Sequence, residues 1–282
     1  MEEIKEKQKI SVLMSVYKND KPEWFADSLD SVCKQTLTPD EVVVIIDGPV
    51  PQEILDVIKQ KKEEFPFIKD FPQEKNMGLG NVLNIGVPLC SNEIIARMDS
   101  DDVAVLDRFE KQLAFMTEND LDIVGSDIEE FCTTPDEIVS VREVPKTMEE
   151  ISEYIKSRNP FNHMTVLMKK SKVLSAGGYQ DMHYCEDYYL WCRMYLDGAK
   201  MANMSDRLVK ARMNTDTFKR RGGYKYFKSQ KRLFKFMRKN KIMGFFGYYK
   251  TLMIRFVVHV LMPGSLKEKI YKKHLRKSTN EK

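Results

Sequence analysis

Short apolar runs alternate with amphipathic stretches over the first hundred residues. The runs are five to seven residues long, as expected of parallel strands buried on both faces, and strands are predicted at 10–16, 41–46, 67–71 and 93–98. Between them, apolar residues recur at helical spacing, as Phe25, Leu29 and Val32 do. Asp20 and Pro22 are predicted to start a helix, and further helices are predicted over 52–64 and over 80–89. This alternation predicts right-handed crossovers and an α/β fold with a mostly parallel central sheet flanked by helices.

After residue 100 the order of elements is less regular. Helices are predicted at 107–117, 148–156 and 187–196, and a short extended segment at 165–168. A strand is predicted at 122–131, and 138–144 would extend it into a hairpin. The 282 residues suffice for one large domain with an appendage. We expect a main domain over 1–218 and a basic helical extension over 219–282.

Polar residues gather where three of the predicted strands end. Ser15-Val16-Tyr17, Asp47 and Asp99-Ser100-Asp101-Asp102 stand at these ends. In parallel sheets, ligands bind beyond the carboxyl ends of the strands. We therefore expect the three segments to lie side by side and to form one ligand site.

The segment from Asp99 to Asp102 places three carboxylates within four residues. Their mutual repulsion is costly without a cation. Hard oxygen ligands suit Mg²⁺ or Mn²⁺, which complete their coordination with substrate phosphates. A structural alternative stays open, because Asp102 could cap the helix that is predicted to begin near Asp107.

The composition of the chain predicts where the protein is located and that it binds an anionic partner. The chain begins MEEIKEKQK, without the apolar run of a secretory signal, so we expect a cytosolic protein. Its five cysteines form no CxxC pair and are expected to be reduced thiols. The net charge of +4 conceals an asymmetry, since residues 219–282 hold 20 Lys and Arg and two acids. Such a basic segment indicates an anionic partner, either lipid headgroups or nucleic acid.

The basic extension has two parts. Residues 224–241 are basic with interleaved aromatic residues, whereas 242–262 are apolar but interrupted by Lys250 and Arg255. The second part is too charged for a spanning helix. An amphipathic helix lying on an anionic membrane surface fits its pattern better. The alternative is a helix that packs on the main domain and leaves a solvated basic face.

The order of the motifs carries a family resemblance. SVY, DGP and RMDSDD stand at strand ends, and HMTVLMKKS, GGY and EDYYLW follow. Over about residues 9–223 the chain resembles the family 2 glycosyltransferases, in particular the bacterial enzymes that build capsule, exopolysaccharide and O-antigen repeats. DGP, NMGLGNVLNIG, RMDSDD and KRRGG make it most similar to the amylovoran-biosynthesis type. The resemblance implies a Rossmann-like GT-A domain, with a nucleotide-binding half near 9–100 and an acceptor half over 101–218.

The resemblance also implies which residues bind a nucleotide-sugar donor. They would be Ser15, Val16, Tyr17, Asp47, Asn76, Gly78, Asn84, Arg97, Asp99, Ser100, Arg220 and Arg221. The first three would line the nucleobase pocket, and Asp47 would contact the base or ribose. Most relatives carry two acids before the glycine of DGP, whereas Ile46 precedes Asp47 here, so one polar contact to the base is missing. The two tail arginines could bind a diphosphate or merely begin the basic extension.

The metal and catalytic roles follow from the same resemblance. Asp99 and Asp101 would hold Mn²⁺ or Mg²⁺, with Asp102 supporting them or capping a helix. Asp187 would be the catalytic base, since an inverting transfer needs one carboxylate to accept the proton of the acceptor hydroxyl. Glu186 would support it. Two further residues, His163 and Trp191, would lie on the acceptor side.

The implied reaction is inverting transfer of a sugar, from a UDP-sugar, to a saccharide acceptor linked to polyprenyl diphosphate. The enzyme would work at the cytoplasmic face of the membrane, with no nucleic-acid partner. One alternative is a nucleotidyltransferase, but Tyr17-Lys18-Asn19-Asp20 lacks the glycine-rich loop of those enzymes. Another is a nucleic-acid-binding protein that uses the basic tail. The acidic main domain and the apolar run at 242–262 argue against it.

Overall fold

The computed structural model describes residues 8–213, 222–262 and 277–278. Its strands are β1 (Ile10–Val16), β2 (Glu41–Ile46), β3 (Ile68–Pro72), β4 (Ile94–Arg97), β5 (Val103–Ala104), β6 (Ile123–Phe131), β7 (Ile138–Arg142), β8 (Leu167–Lys169), β9 (Met201–Arg212) and β10 (Lys277–Ser278). Its helices are α1 (Pro22–Cys33), α2 (Gln52–Glu64), α3 (Leu79–Leu89), α4 (Arg108–Glu118), α5 (Met148–Tyr154), α6 (Lys170–Ser175), α7 (Glu186–Leu196), α8 (Gly223–Lys239) and α9 (Phe245–Phe256). A 3₁₀ turn covers His163–Thr165, and a π-helical turn, Val257–Leu261, continues α9.

The predicted α/β fold with a helix-flanked central sheet is confirmed. The strands form one sheet in the order β10-β7-β6-β8-β4-β1-β2-β3, and β9 pairs with β5 and β6. Strands β3, β2, β1 and β4 are parallel neighbours. Of the ten strands described, β5, β7 and β8 alone run opposite to the rest. The carboxyl ends of β1, β2 and β4 therefore meet at one edge of the sheet.

Apolar residues fill both faces of this sheet. Along β2, Val42, Val44 and Ile46 belong to one hydrophobic cluster, while Val43 and Ile45 belong to the other. This alternation is the two-residue period of a strand that is covered on both sides. Helices α1, α2 and α4 cover the first face, and α3, α6, α7 and α8 the second.

Strand β9 was not predicted from the sequence. It is twelve residues long and pairs in parallel with β6 along almost all of its length. The pairing register shifts twice around Asp127, where the opposing segment Ser205-Asp206-Arg207 is exposed. This polar bulge interrupts the apolar pattern, so no continuous strand signal is visible in the sequence.

The C-terminal helices begin after the undescribed residues 214–221. Leu233, Phe234 and Met237 of α8 are fully buried in the cluster that contains Trp191. The apolar side of α8 therefore packs on the main domain. For 242–262, the membrane-surface helix and the packed helix both stay predictions. No helix among the described residues has the length and apolar character needed to cross a membrane.

Candidate active site

An unpredicted carboxylate joins the ends of two central strands. Oδ2 of Asp20 accepts a hydrogen bond from the backbone N–H of Tyr17 at 3.0 Å and another from Oγ of Ser100 at 2.9 Å. Ser28 Oγ also donates to the carbonyl of Asp99 at 2.7 Å. The loop after β1, the start of α1 and the acidic segment are thereby held together.

Asp47 organises the predicted donor loop. Its Oδ2 accepts hydrogen bonds from Asn76 Nδ2 at 2.9 Å and from Gly78 N at 3.0 Å, and its Oδ1 accepts one from Met77 N at 2.6 Å. Gly48 follows with φ +80°, and a Cβ there would lie 2.4 Å from Asn76 N. The close approach of the two loops explains the glycine. Three predicted donor residues are thus brought together, and their contact with a nucleotide stays a prediction.

The three residues at the end of β1 differ in what they can offer a ligand. Ser15 and Tyr17 are partly exposed. Val16 is only 1% exposed, and its carbonyl accepts a hydrogen bond from Asp47 N at 2.8 Å. Its side chain packs in the sheet core rather than lining a pocket. A contact of Val16 with the nucleobase stays a prediction, as it does for Ser15 and Tyr17.

The donor loop also approaches the predicted catalytic helix. A Cβ on Gly80 would lie 3.0 Å from Cβ of Glu186, so the first turn of α3 lies against the first turn of α7. Further along α3, Oδ1 of Asn84 would be 2.3 Å from a Cβ on Gly178, whose φ is +64°. Asn84 therefore faces the loop before α7.

The predicted metal-binding carboxylates do come together. Asp99, Asp101 and Asp102 each offer a ligand oxygen, and these oxygens lie within 4.8 Å of one another. Burial, together with the negative charges of Asp99 and Asp20, raises the pKa of Asp101 to about 6. Carboxylates that are crowded together in this way repel one another, and a hard divalent cation bound between them would offset that repulsion.

Asp102 does not cap the helix that follows it. Helix α4 begins at Arg108 after Asp107, five residues beyond Asp102. Asp102 is buried, and its Oδ1 accepts a hydrogen bond from Arg212 N at 2.8 Å at the end of β9. The guanidinium of Arg212 lies 4.6 Å from the ring centroids of both Trp24 and Phe131. Asp102 thus anchors the far half of the sheet to the acidic segment.

Arg97 is a buried guanidinium between the acidic cluster and α7. It is 1% exposed and forms an ion pair with Asp99. Within the described part of the chain, its Nε and Nη1 are buried without a hydrogen-bond partner. Its positive charge acts against the raised pKa values of Asp101, Glu186 and Asp187 alike. One cation therefore stabilises both groups of carboxylates.

The two acids at the start of α7 have different surroundings. Oδ2 of Asp187 accepts a hydrogen bond from Asn159 Nδ2 at 2.5 Å, and its Oδ1 accepts one from Tyr188 N at 2.7 Å. Burial raises the pKa of Asp187, and these hydrogen bonds oppose the shift. Burial and the charge of Asp187 raise the pKa of Glu186 to about 7. Asp187 is the better oriented of the two carboxylates.

The predicted acceptor residues form a stack of rings. Nε2 of His163 lies 2.8 Å from Tyr179 Oη, and the His163 ring meets Trp191 edge-on at 5.9 Å between centroids. Burial, with Arg97 nearby, holds the pKa of His163 well below its usual value, so the ring is neutral. Trp191 is 0% exposed. Trp191 therefore supports His163 from the core, and the place of both residues on the acceptor side stays a prediction.

Some residues of the site were missed by sequence reasoning, and two could not be placed. The missed residues are Asp20, Arg108, Asn159, Tyr179 and Arg212. Asp20 follows a turn-like Lys18-Asn19, a signal that we interpreted as the start of a helix, and Asn159 precedes a proline in an irregular loop. Arg220 and Arg221 lie outside the described residues, so their donor role stays a prediction.

Known proteins match this chain in sequence over most of its length. Residues 11–179 match the model of glycosyl transferase family 2. The UDP-Gal:alpha-D-GlcNAc-diphosphoundecaprenol beta-1,3-galactosyltransferase of Escherichia coli is 39% identical, over 95% of this chain and 97% of its own length. The amylovoran biosynthesis glycosyltransferase AmsE of Erwinia amylovora is 37% identical, over 93% and 98%.

Solved structures support the fold. TarS 1–349 of S. aureus in complex with UDP-GlcNAc matches with a TM-score of 0.67 at 18% identity, over 94% of this chain and 78% of that one. The resemblance first seen in the order of the motifs is confirmed by relatives that align along nearly the whole chain. With the family model covering more than half of its residues, this chain belongs to glycosyltransferase family 2.

Proposed function

We propose that this glycosyltransferase is metal-dependent and inverting, and that it transfers a sugar from a UDP-sugar to a lipid-linked saccharide. The carrying observation is the position of Arg97, whose charge acts on Asp101 of the acidic cluster and on Asp187. One buried cation can thus stabilise the negative charge of the leaving group and also that of the carboxylate that accepts the proton. Neither the nucleotidyltransferase nor the nucleic-acid alternative is favoured by the relatives.

Asp187 is the proposed base. It takes the proton of the acceptor hydroxyl as that oxygen bonds to the anomeric carbon, while the bond from this carbon to the diphosphate oxygen breaks. A single displacement of this kind inverts the anomeric centre and needs no covalent intermediate. Burial raises the pKa of Asp187, which makes it a stronger base, and Asn159 holds its carboxylate in one orientation.

Asp99 and Asp101 would hold the metal ion. Their oxygens, with one of Asp102, are within 4.8 Å of one another, a donor set that suits Mn²⁺ or Mg²⁺. When bound, such an ion offsets the charge that develops on the leaving diphosphate. The unpartnered Nε and Nη1 of Arg97 are the protein's own donors for phosphate oxygens.

Donor, acceptor and location are proposed from the relatives and from the charge of the chain. One relative is named for UDP-Gal and a diphosphoundecaprenol acceptor, and a solved neighbour binds UDP-GlcNAc. A UDP-sugar and a saccharide on polyprenyl diphosphate are therefore the proposed substrates. Such an acceptor resides in a membrane, and the strongly basic residues 219–282 would bring the enzyme to an anionic cytoplasmic surface.

The substitution Asp187→Asn tests the base. The amide preserves size but cannot accept a proton, so kcat should fall by about 10²–10⁴-fold, with UDP affinity in Mn²⁺ nearly unchanged by calorimetry. Glu186→Gln is the matched neighbour and should lose much less. Equal losses of UDP affinity and turnover in Asp187→Asn would make this residue a donor ligand or a structural residue instead.

A further inference from the structure

Helix α9 has one face that is used by the fold. Tyr248, Leu252, Arg255 and His259 recur at helical spacing and face the domain. Tyr248 and His259 are buried, and Leu252 packs against the hydrophobic cluster to which the buried residues of α7 belong. Nη2 of Arg255 donates to the carbonyl of Ser157 at 2.6 Å. This inner face fastens α9 to the acceptor half.

The opposite face of α9 is apolar and exposed. Phe246 is 86% exposed and Met253 66%. The other exposed apolar residues of this face are Tyr249, Ile254, Val257 and Leu261. Phe246, Tyr249, Met253, Val257 and Leu261 are three or four residues apart, and Ile254 adjoins Met253. They form one stripe along α9 and its π-helical continuation, with the exposed Lys250 on the same face. Monomeric proteins seldom expose a contiguous apolar surface of this kind unless it binds something.

The charges around the stripe decide what binds there. Residues 222–262 contain ten Lys and Arg and no Asp or Glu. The exposed cations of α8 and of the turn after it are Lys225, Lys228, Lys231, Arg232, Lys235, Arg238, Lys239 and Lys241. The guanidinium of Arg238 lies 4.9 Å from the ring centroid of Phe245 and 5.7 Å from that of Tyr249. Cations thus border the stripe directly.

A second copy of the chain is a poor match for such a surface. In a symmetric pair the same patch meets itself, so the two cationic borders would oppose each other, and like charges disfavour the contact. An anionic bilayer satisfies both parts of the surface, because apolar side chains enter the acyl boundary while Lys and Arg remain at the headgroups.

We infer that the outer face of α9, centred on Phe246, Tyr249, Met253 and Val257, inserts into the interface of an anionic membrane. The expected effect of this insertion on turnover rests on the proposed function, whereas the membrane contact itself does not. It narrows the membrane contact from the whole basic extension to one helix face. Helix α8 contributes chiefly its cations, since Leu233, Phe234 and Met237 are already buried in the domain.

The contacts that hold α9 on the domain also connect the proposed membrane surface to the residues around Asp187. Arg255 binds the carbonyl of Ser157, and two residues further on Asn159 donates to Asp187. The Tyr184 ring, in the loop before α7, contacts Tyr226 of α8 at 5.5 Å between centroids. Insertion of the outer face would therefore hold the base at a set height above the bilayer, where a lipid-linked saccharide can reach it.

The test is vesicle binding by the full chain with the double substitution Phe246→Gln/Met253→Gln. Co-flotation with phosphatidylglycerol–phosphatidylcholine vesicles should weaken by about tenfold or more, because two inserted apolar side chains are lost. Binding to pure phosphatidylcholine should be weak for both proteins. Leu174→Gln/Leu196→Gln is the matched control, since both leucines are exposed elsewhere, and it should float like the unaltered protein.

Turnover separates this inference from the proposed function. The double variant should lose turnover on a lipid-linked acceptor in vesicles but keep it on a water-soluble acceptor, with an unchanged melting temperature. Undiminished flotation would overturn the inference. So would a dimer that becomes a monomer in the variant, or flotation that appears only when residues 263–282 are removed. Absent sugar transfer to either acceptor, with normal flotation, would instead contradict the proposed reaction.

Discussion

At the residue scale, the site depends on how single charges are placed around Arg97. This buried guanidinium pairs with Asp99, and two of its nitrogens, Nε and Nη1, have no hydrogen-bond partner among the described residues. Arg108 lies behind it and donates to the Arg97 carbonyl at 2.8 Å. Burial lowers the pKa of Arg108 to about 9, so it still carries a charge at neutral pH. Two buried cations thus lie close to the crowded carboxylates and partly offset their charge.

The metal prediction concerns Asp101. Asp101→Ala should abolish transfer and weaken UDP binding in Mn²⁺, because the donor diphosphate loses its counter-ion. Calorimetry with UDP, with and without Mn²⁺, measures this directly. Asp136→Ala, at a highly exposed carboxylate, is the control and should bind normally. Full activity in EDTA, or an active Asp101→Ala enzyme, would remove metal dependence from the proposal.

Asn159 gives a pH prediction. Its hydrogen bond favours the charged form of Asp187 and so lowers the pKa of this base. Asn159→Ala removes that effect, so the pKa of Asp187 should rise. Since the base must be deprotonated, the acid limb of the kcat–pH profile should move to higher pH, with less effect on KM for the donor. An unshifted profile would show that Asn159 does not position the base.

At the element scale, Glu41 connects four segments at the amino-terminal edge of the sheet. Burial alone would raise the pKa of Glu41, but hydrogen bonds from Lys69, Ser11 and Ser91 outweigh it and lower this pKa to about 2. Lys69 Nζ lies 2.6 Å from Oε2, and Ser11 Oγ lies 2.6 Å from Oε1. One carboxylate thereby holds β1, β2, β3 and the turn after α3 together.

Glu41→Gln should lower the free energy of unfolding by about 3 kcal/mol at neutral pH, the equivalent of this pKa shift. Because the folded pKa is depressed, the contribution is complete above about pH 4.5 and is lost as the pH falls toward 2. Urea unfolding at pH 7 and pH 3 should show the gap between the two proteins narrowing in acid. Glu53→Gln, exposed on α2, is the control, and a gap that is constant with pH would contradict the account.

At the scale of the whole molecule, the C-terminal helices are divided between the core and the surface. Leu233, Phe234 and Met237 of α8 are fully buried beside Trp191, whereas the outer face of α9 is exposed. The basic extension therefore combines one helix that packs into the core with another whose outer face is exposed.

Truncation should separate the two parts. A chain that ends at Met213 loses three buried side chains worth about 2–5 kcal/mol each, comparable with the whole stability of a domain, and should be insoluble or unfolded. A chain that ends at Met262 keeps α8 and α9 and should melt near the temperature of the full chain. Soluble yield and thermal unfolding measure both. Cooperative melting of the shorter chain near that same temperature would mean that α8 is dispensable.

The sequence by itself determined most of the helices and strands and the family of the chain. The strands β1 to β4 and the helices among them were predicted to within one residue, because apolar periodicity is a local property that neighbouring residues express together. The expectation that Asp47 and the acidic segment share one edge of the sheet followed from the rule that parallel strands end at the same edge, whereas Asn76 was named through the family resemblance. Motif order alone indicated family 2.

Only the tertiary structure decided which side chains are buried and which distant residues they contact. Val16 stands in a motif but points into the core, Asp20 looks like a helix start but joins two loops, and β9 pairs through a polar bulge. Helix α8 reads in the sequence as a basic segment with interleaved aromatic residues, yet its apolar side is buried. In each case the deciding contact joins residues that are far apart in the chain, and burial depends on what packs opposite. A periodic pattern records that a face is apolar, but it does not record whether protein or lipid covers it.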